Sequence, residues 1–316
     1  MPKTAVLIAC YNEAPNIKKT IEGFRAALPE ADIYVYDNNS TDGSADIAQA
    51  AGAIVVPEYR QGKGNVIRSM FRDVDADIYI LADGDDPFPQ EQAPAMAQLV
   101  AEGKADLVIG GRSNYAEQQK RAFHGLGNRL VSGLINRIFK GNIQDIMSGF
   151  RALSRSFVKS FPVLSRGFEI ETEMTIHALD RNMLVREVPV IFRERPDGSP
   201  SKLNTFRDGL KVIKTIFSLY RDYKPFSFFG YISAALAVAG LGAFVPVLID
   251  WIQHNGVLYR FPTLFVSGFL MLAAMLSLAC GMILATLRKN NRQAFEIQLT
   301  QLQYLEMIKS AHEGQK

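Results

Sequence analysis

Two long stretches without a charged side chain constrain this chain more than any other feature. Phe228 to Ile249 runs 22 residues and Leu264 to Leu287 runs 24. At ~1.5 Å per residue, each helix would cover the ~30 Å hydrocarbon core of a bilayer. From Pro225 to Leu287 the only charged residues are Asp250 and Arg260. Gly230, Gly240, Gly242 and Pro246 fit this reading, because Gly and Pro are commoner in membrane helices than in soluble ones. The competing reading is a pair of buried helices in a soluble protein. Uncharged length argues against it. Arg207, Lys211, Lys214, Arg221 and Lys224 precede the first stretch, and Arg288, Lys289 and Arg292 follow the second. The link between them is short and carries one Arg. The distribution of Lys and Arg therefore predicts both termini in the cytoplasm, and the expected location is the inner (plasma) membrane, as a multi-pass protein. Trp251, Tyr259 and Tyr231 fall where interfacial aromatics belong.

The remaining length suits one further domain, since 316 residues exceed an average single domain. The formal charge of +3 is mild, and no nucleic-acid partner is expected. Cys10 and Cys280 lie far apart in apolar contexts, so no disulfide framework is indicated and a reducing compartment fits. Met1-Pro2-Lys3-Thr4 leads into too few apolar residues for a signal-peptide core and reads as the approach to a strand.

Residues 1 to about 200 alternate strand-like and helix-like runs. Ala5–Ala9, Ile33–Tyr36, Ala53–Val56, Ile78–Ala82 and Leu107–Gly110 read as strands, and Asn16–Leu28, Ser44–Ala51, Gly64–Val74 and Gln90–Glu102 as helices. Short β-branched runs separated by helices predict an α/β fold, with a mostly parallel sheet covered by helices on both faces. Ligands of such sheets bind at the carboxyl ends of the strands. Asp37, Asp83 and Arg112 all sit just past strand ends, so one crevice can collect them. Phe206, Leu210, Ile213, Phe217 and Tyr220 recur at helical spacing beside a basic stripe of Arg207, Lys211, Lys214 and Arg221. That pattern predicts an interfacial helix over 204–224 lying on an anionic membrane surface. Phe295, Leu299, Leu302, Leu305 and Ile308 predict a last amphipathic helix within 289–316. It would pack onto the soluble domain or a neighbouring subunit, and a homo-oligomer is expected.

Five local signals carry chemistry. Tyr11-Asn12-Glu13 closes the first strand, where Tyr11 can stack on a base and Glu13 can accept from a ribose hydroxyl. Asp37 opens an Asn- and Ser-rich turn and is placed to bond a base edge. Gly62-Lys63-Gly64 at a helix start makes an anion site, with Lys63 as its charge. Asp83-Gly84-Asp85-Asp86 follows an apolar strand, and acids this close are tolerable around a divalent cation. A solvated turn is the plain alternative. Arg195 to Lys202 is a basic loop able to close over phosphates.

In this order the motifs resemble family 2 glycosyltransferases of the GT-A fold, in particular the polyprenyl-phosphate branch related to dolichol-phosphate mannose synthase. The resemblance covers about Thr4 to Leu203 and includes Gly111-Arg112, Ser148-Gly149-Phe150-Arg151 and Ser201-Lys202-Leu203. It implies that Asp83 and Asp85 hold Mg²⁺ or Mn²⁺, that Arg112 and Arg121 take the acceptor phosphate, and that Asp145 approaches the reacting centre. It further implies that Arg195, Ser201 and Lys202 face the donor diphosphate. Relatives often carry Gln two residues after the Asp-x-Asp; here that position is Pro87, and Asp86 or water would have to substitute.

The implied activity is inverting transfer of a hexose-type sugar from a nucleotide sugar, UDP-linked by preference, to undecaprenyl or another polyprenyl phosphate at the bilayer. GDP-mannose is the alternative donor. A non-catalytic membrane scaffold that binds nucleotide or lipid is the alternative of another class. A processive polysaccharide synthase would carry Gln-x-x-Arg-Trp, whereas the single Trp here, Trp251, lies between the apolar stretches. The expected divisions are a catalytic domain at 1–203, the interfacial helix at 204–224, a hairpin at 225–288 and the tail at 289–316.

Overall fold

The computed structural model describes residues 2–85, 89–112, 132–139, 141–165, 167, 169–191, 217–218, 220–255 and 257–313. Its first strand, β1 (Thr4–Cys10), is a run of five apolar residues behind Thr4, and Ala5, Val6, Leu7 and Ile8 are wholly buried. A strand apolar on both faces must lie inside a covered sheet. β1 is accordingly flanked on both sides by parallel partners, β2 (Asp32–Asp37) and β4 (Ile78–Asp83). β3 (Ile54–Pro57) extends the sheet beyond β2. β5 (Leu107–Arg112) and β7 (Val185–Val190) pair in parallel at the other edge.

The seven strands run in the order β3-β2-β1-β4-β6-β5-β7. β6 (Arg151–Ser154) is antiparallel to both its neighbours, β4 and β5. Sequence alternation does not reveal this strand, because it is only four residues long and no crossover helix precedes it. The chain order reverses direction at β1, between β2 and β4, and such a switch point opens a crevice at the strand ends.

The helices cover the sheet through one apolar stripe each. In α1 (Ile17–Ala27), Ile17, Thr20, Ile21 and Phe24 are buried, at spacings of three, one and three residues. In α3 (Lys63–Asp73), Val66, Ile67, Met70 and Phe71 do the same. α2 (Ser44–Ala50) starts after Gly43, whose φ of 85° is a left-handed conformation that glycine adopts without cost. The expected helix at 90–102 is a short 3₁₀ turn, Gln90–Gln92, running into α4 (Ala93–Ala101), with Pro94 in its first turn where no backbone donor is needed. Residues 132–139 form α5. α6 (Arg155–Ser160) is capped by Ser154, whose hydroxyl accepts from Phe157 N at 3.2 Å. α7 (Ile170–Asp180) precedes β7. Phe24 of α1 and Phe150, just before β6, meet in the core with ring centroids 6.3 Å apart.

The chain divides into two compact units, Met1–Asp208 with Leu302–Lys316, and Gly209–Gln301. In the second unit, α8 (Pro225–Gln253) and the start of α9 (Phe261–Glu313) are long and apolar enough to cross a membrane. Ser233 Oγ donates to Ala274 O at 2.7 Å and Ser277 Oγ to Phe229 O at 3.0 Å, so two hydroxyls tie the pair together. Gly240 lets them approach: a Cβ there would lie 3.2 Å from Leu270 Cβ and Met271 Sδ. The last amphipathic stretch is not a separate helix. α9 continues through it without a break for 53 residues. Most of the expected interfacial helix, with Phe206, Arg207, Leu210, Lys211, Ile213 and Lys214, lies outside the described residues.

Candidate active site

The register of three strands builds the site. Ala9 pairs with Asp83 across β1 and β4, and Cys10 pairs with Asp37 across β1 and β2. Asp37 and Asp83 therefore end their strands on either side of β1, about 10 Å apart by strand spacing. Cys10 between them is inert as a nucleophile, since burial pushes its thiol up to about 11.

The loops after β1 and β2 are stitched together. Asn12 N donates to Ser40 Oγ at 2.9 Å, Thr41 N to Asn12 Oδ1 at 2.8 Å, Glu13 N to Ser44 Oγ at 2.8 Å and Ala14 N to Asp42 Oδ2 at 3.0 Å. The Ser-Thr-Asp-Gly turn thus serves as a clamp that fixes Tyr11 and Glu13. Tyr11 stays exposed beside the crevice. Burial works against the Asp42 carboxylate, but hydrogen bonds from Ser44 and Ala14 outweigh it and hold its pKa below the usual range.

Asp37 is buried. One of its oxygens accepts from Ser40 N at 3.1 Å. The other, Oδ1, is buried with no hydrogen-bond partner in the protein. A buried carboxylate oxygen without a donor is costly and rare, and a ligand N–H is the natural complement. Beside it, Asn38 spends its whole side chain on the β3–α3 loop. Its Nδ2 donates to Glu58 O and Arg60 O at 2.8 and 2.9 Å, and its Oδ1 accepts from Gly62 N at 2.8 Å. Arg60 and Ser69 both bond the Glu58 carboxylate, and these contacts hold its pKa down to about 2. This scaffold presents Gly62 and Lys63.

Lys63 is not an open anion site. Its Nζ lies 2.5 Å from Asp83 Oδ1 and 2.5 Å from Glu171 Oε1 of α7. Burial alone would lower the ammonium's pKa, but the two carboxylates outweigh it and raise it. Burial likewise pushes the Glu171 carboxyl up, opposed by Lys63. Of the three, Asp83 faces the crevice: its side chain is 30% exposed, against 8% for Lys63 and 6% for Glu171.

The segment before β6 closes the crevice from the other side. A Cβ on Gly149 would lie 2.6 Å from Asp83 Oδ2 and 3.2 Å from Lys63 Nζ, so only glycine fits there. Arg151, fully buried, anchors this segment. Its Nε donates to Ser148 O at 2.8 Å, Nη2 to Ile146 O at 2.7 Å and Nη1 to Thr175 Oγ1 at 3.0 Å. Burial brings its guanidinium down to about 10, still protonated at neutral pH. Ser148 Oγ donates to Gly110 O at 2.6 Å. Glu187 of β7 accepts from Gln144 N at 2.7 Å and Asp145 N at 3.0 Å, and a Cβ on Gly111 would collide with that carboxylate at 2.1 Å. These contacts hold the buried Asp145 at the end of β5.

The structure therefore brings Tyr11, Glu13, Asp37, Lys63, Asp83, Asp85 and Asp145 to the carboxyl edge of the sheet. Asp83 and Asp85 flank Gly84 in a turn and are partly exposed. The donor chemistry fits Mg²⁺ or Mn²⁺: two hard carboxylates, with other positions left to diphosphate and water. Among the described residues no group of three or more potential ligands forms a complete protein cage. Asp86, Pro87, Arg121, Arg195, Ser201, Lys202 and the Arg112 side chain lie outside the described residues. Sequence reasoning missed Asn38, Glu171 and Glu187, whose roles arise from tertiary contacts alone. Asn38 and Glu171 are polar residues at strand- and helix-end positions, the one signal available.

The glycosyl transferase family 2 model matches residues 5–161. Glycosyltransferase AglJ of Haloferax volcanii is 32% identical over 254 residues, 79% of this chain and 82% of that protein. The undecaprenyl-phosphate mannosyltransferase of Micrococcus luteus is 28% identical over 217 residues, 62% of this chain and 86% of that one. Among solved structures, glucosyl-3-phosphoglycerate synthase of Mycobacterium tuberculosis, crystallised with Mn²⁺, UDP-glucose and glycerol 3-phosphate, superposes with a TM-score of 0.53. It is 24% identical and covers 69% of this chain and 79% of that one, which shows a shared GT-A-like α/β fold. The chain belongs to glycosyl transferase family 2.

Proposed function

We propose that the chain transfers a hexose-type sugar from a nucleotide sugar to a polyprenyl phosphate, with undecaprenyl phosphate as the acceptor and inversion at the anomeric carbon. The observation that carries this reading is the pair of strand-end carboxylates in a family 2 chain. Asp37 offers a buried oxygen without a partner, and Asp83 turns an acidic face to the same crevice. Asp37 suits a base with an N–H on its edge, as in the imide of uracil. Tyr11 would stack on that base, and Glu13 would accept from the ribose. Lys63 would contribute positive charge to the diphosphate from behind Asp83, and Arg195, Ser201 and Lys202 would close over it. A divalent cation held by Asp83 and Asp85 would supply neutralisation of the charge that develops on the departing diphosphate.

Arg112 and Arg121 would hold the acceptor phosphate in line with the anomeric carbon, near Asp145. A phosphate monoester has a second pKa of about 6, so it is already a nucleophile at neutral pH and needs no strong base. His177 itself is unsuited to act as a base: it is buried against Phe157 and Phe161, and burial lowers its pKa to about 4. The apolar helices α8 and α9 would cross the plasma membrane, with the catalytic domain and both termini in the cytoplasm. The proposed divisions fall at 203, 224 and 288, and the proposed assembly is a homo-oligomer.

GDP-mannose is the second reading for the donor. Guanine also presents N–H groups to Asp37, and several relatives are named mannosyltransferases. Purified protein with undecaprenyl phosphate, Mn²⁺ and a panel of UDP- and GDP-sugars separates the two by the mass of the lipid product. Product should form with one donor class and stop on chelation of the metal. Absence of product with every donor would leave the scaffold reading standing.

A further inference from the structure

We infer that Lys63 is a resident counter-cation of Asp83, held in place by Glu171, and that it makes divalent metal and nucleoside diphosphate bind cooperatively. The inference rests on the reading of Asp83 as a metal ligand. Three observations carry it. Lys63 Nζ lies 2.5 Å from an oxygen of each carboxylate, so one ammonium serves two acids. Lys63 and Glu171 are nearly inaccessible whereas Asp83 is partly exposed, so a cation arriving from the crevice meets Asp83 already paired. Gly149 packs where any side chain would strike Asp83 Oδ2 and crowd Lys63, so the backbone there closes directly on the Lys63–Asp83 pair.

Two cations cannot lie against one carboxylate without strong repulsion. Metal alone therefore competes with Lys63. A diphosphate relieves the conflict, because it gives Lys63 a new anionic partner and gives the metal further oxygen ligands. The coupling is reciprocal, so each ligand raises the affinity for the other by the same factor. Glu171 has a separate part. When Asp83 turns to the metal, Glu171 remains beside the buried ammonium as a counter-charge. Glu171 is thus a positioning residue that acts through Lys63, placed at the start of α7 where the helix dipole favours an anion.

This arrangement predicts effects of opposite sign. Glu171→Gln should weaken Mn²⁺ binding in the absence of nucleotide, because Lys63 then loses the Glu171 charge and leans harder on Asp83. The double variant Lys63→Met with Glu171→Gln removes both members of the buried pair and avoids an unpaired charge that would threaten folding. It should bind Mn²⁺ alone about tenfold more tightly than the unaltered chain, the effect of one 1.4 kcal/mol coupling. It should also lose most of the enhancement by UDP. The assay is the electron paramagnetic resonance signal of free Mn²⁺, with the full chain in detergent, with and without UDP, corrected for the Mn²⁺–UDP complex. A double variant with unchanged affinity and unchanged UDP enhancement overturns the inference. So do losses of binding in both variants, which mark a structural role only. Asp83→Asn should abolish Mn²⁺ binding; if it does not, the metal reading itself fails, and the inference falls with it.

Discussion

Asp37 keeps one carboxylate oxygen buried and unmatched by any protein donor, and that atom makes the sharpest statement at the scale of single residues. If a base N–H is its partner, Asp37→Ala removes a hydrogen bond to a charged group, worth about 1.5–3 kcal/mol. UDP affinity, read by calorimetry, should fall by about 10- to 100-fold. Unchanged affinity would remove Asp37 from the donor site. Gly149→Ala tests the packing of the opposite wall. Its Cβ would need space held by Asp83 Oδ2 at 2.6 Å, so Asp83 must shift. A displacement of that order at a reacting centre costs about 100-fold in rate. Sugar transfer should drop by that factor while the circular dichroism spectrum stays the same. The strand-end positions of Asp37 and Asp83 were legible in the sequence, because β-branched runs announce strand ends, whereas the pairing of Lys63 with two acids was not. Nor were Glu171 and Glu187. Glu187 earns its place by accepting from Asp145 N across 42 residues of chain, and no local pattern encodes such a pair.

Among the elements, α7 joins the site to the core. Its first turn carries Glu171 towards Lys63, and its last turn buries His177 between Phe157 and Phe161. Burial lowers the His177 pKa from 6.5 to about 4. A depressed folded-state pKa means that the unfolded chain binds the proton first as pH falls. The stability is therefore fully present above about pH 6.5 and is lost progressively as pH falls through about 4, by about 3 kcal/mol. Denaturation midpoints measured between pH 7 and 4 should show this slope, and His177→Leu should flatten it. In the hairpin, Gly240→Leu should overpack the contact with Leu270 and Met271. The cost is about 1–3 kcal/mol, visible as a lower melting temperature in detergent. The strands β1 to β5 and helices α1 to α4 were readable from alternation and apolar spacing. β6 was hidden, since four residues pairing antiparallel on both sides leave no period to detect. The tail is helical as its spacing predicts, and Arg288, Lys289 and Arg292 mark a change of polarity that does not interrupt the helix, which has no Gly or Pro there.

The whole molecule combines a sheet whose switch point collects acids with two helices long and apolar enough for a bilayer. Neither part alone specifies the reaction: the first suits many nucleotide-sugar enzymes and the second many membrane proteins. Together, in a family 2 chain, they suit the proposed acceptor, which carries both a phosphate and a long apolar chain. Chain length and uncharged runs made this division legible from the start, whereas the sugar depends on the shape of a donor pocket that sequence motifs do not describe. The most direct test is transfer of labelled sugar to undecaprenyl phosphate, with the donor selected by the panel above, comparing the unaltered chain with Asp83→Asn. The account predicts a lipid-linked sugar phosphate with the unaltered chain and a rate lower by about 1,000-fold with Asp83→Asn, consistent with loss of about 4 kcal/mol of electrostatic stabilisation. Equal rates for the two proteins, or label that never enters the lipid, would contradict it.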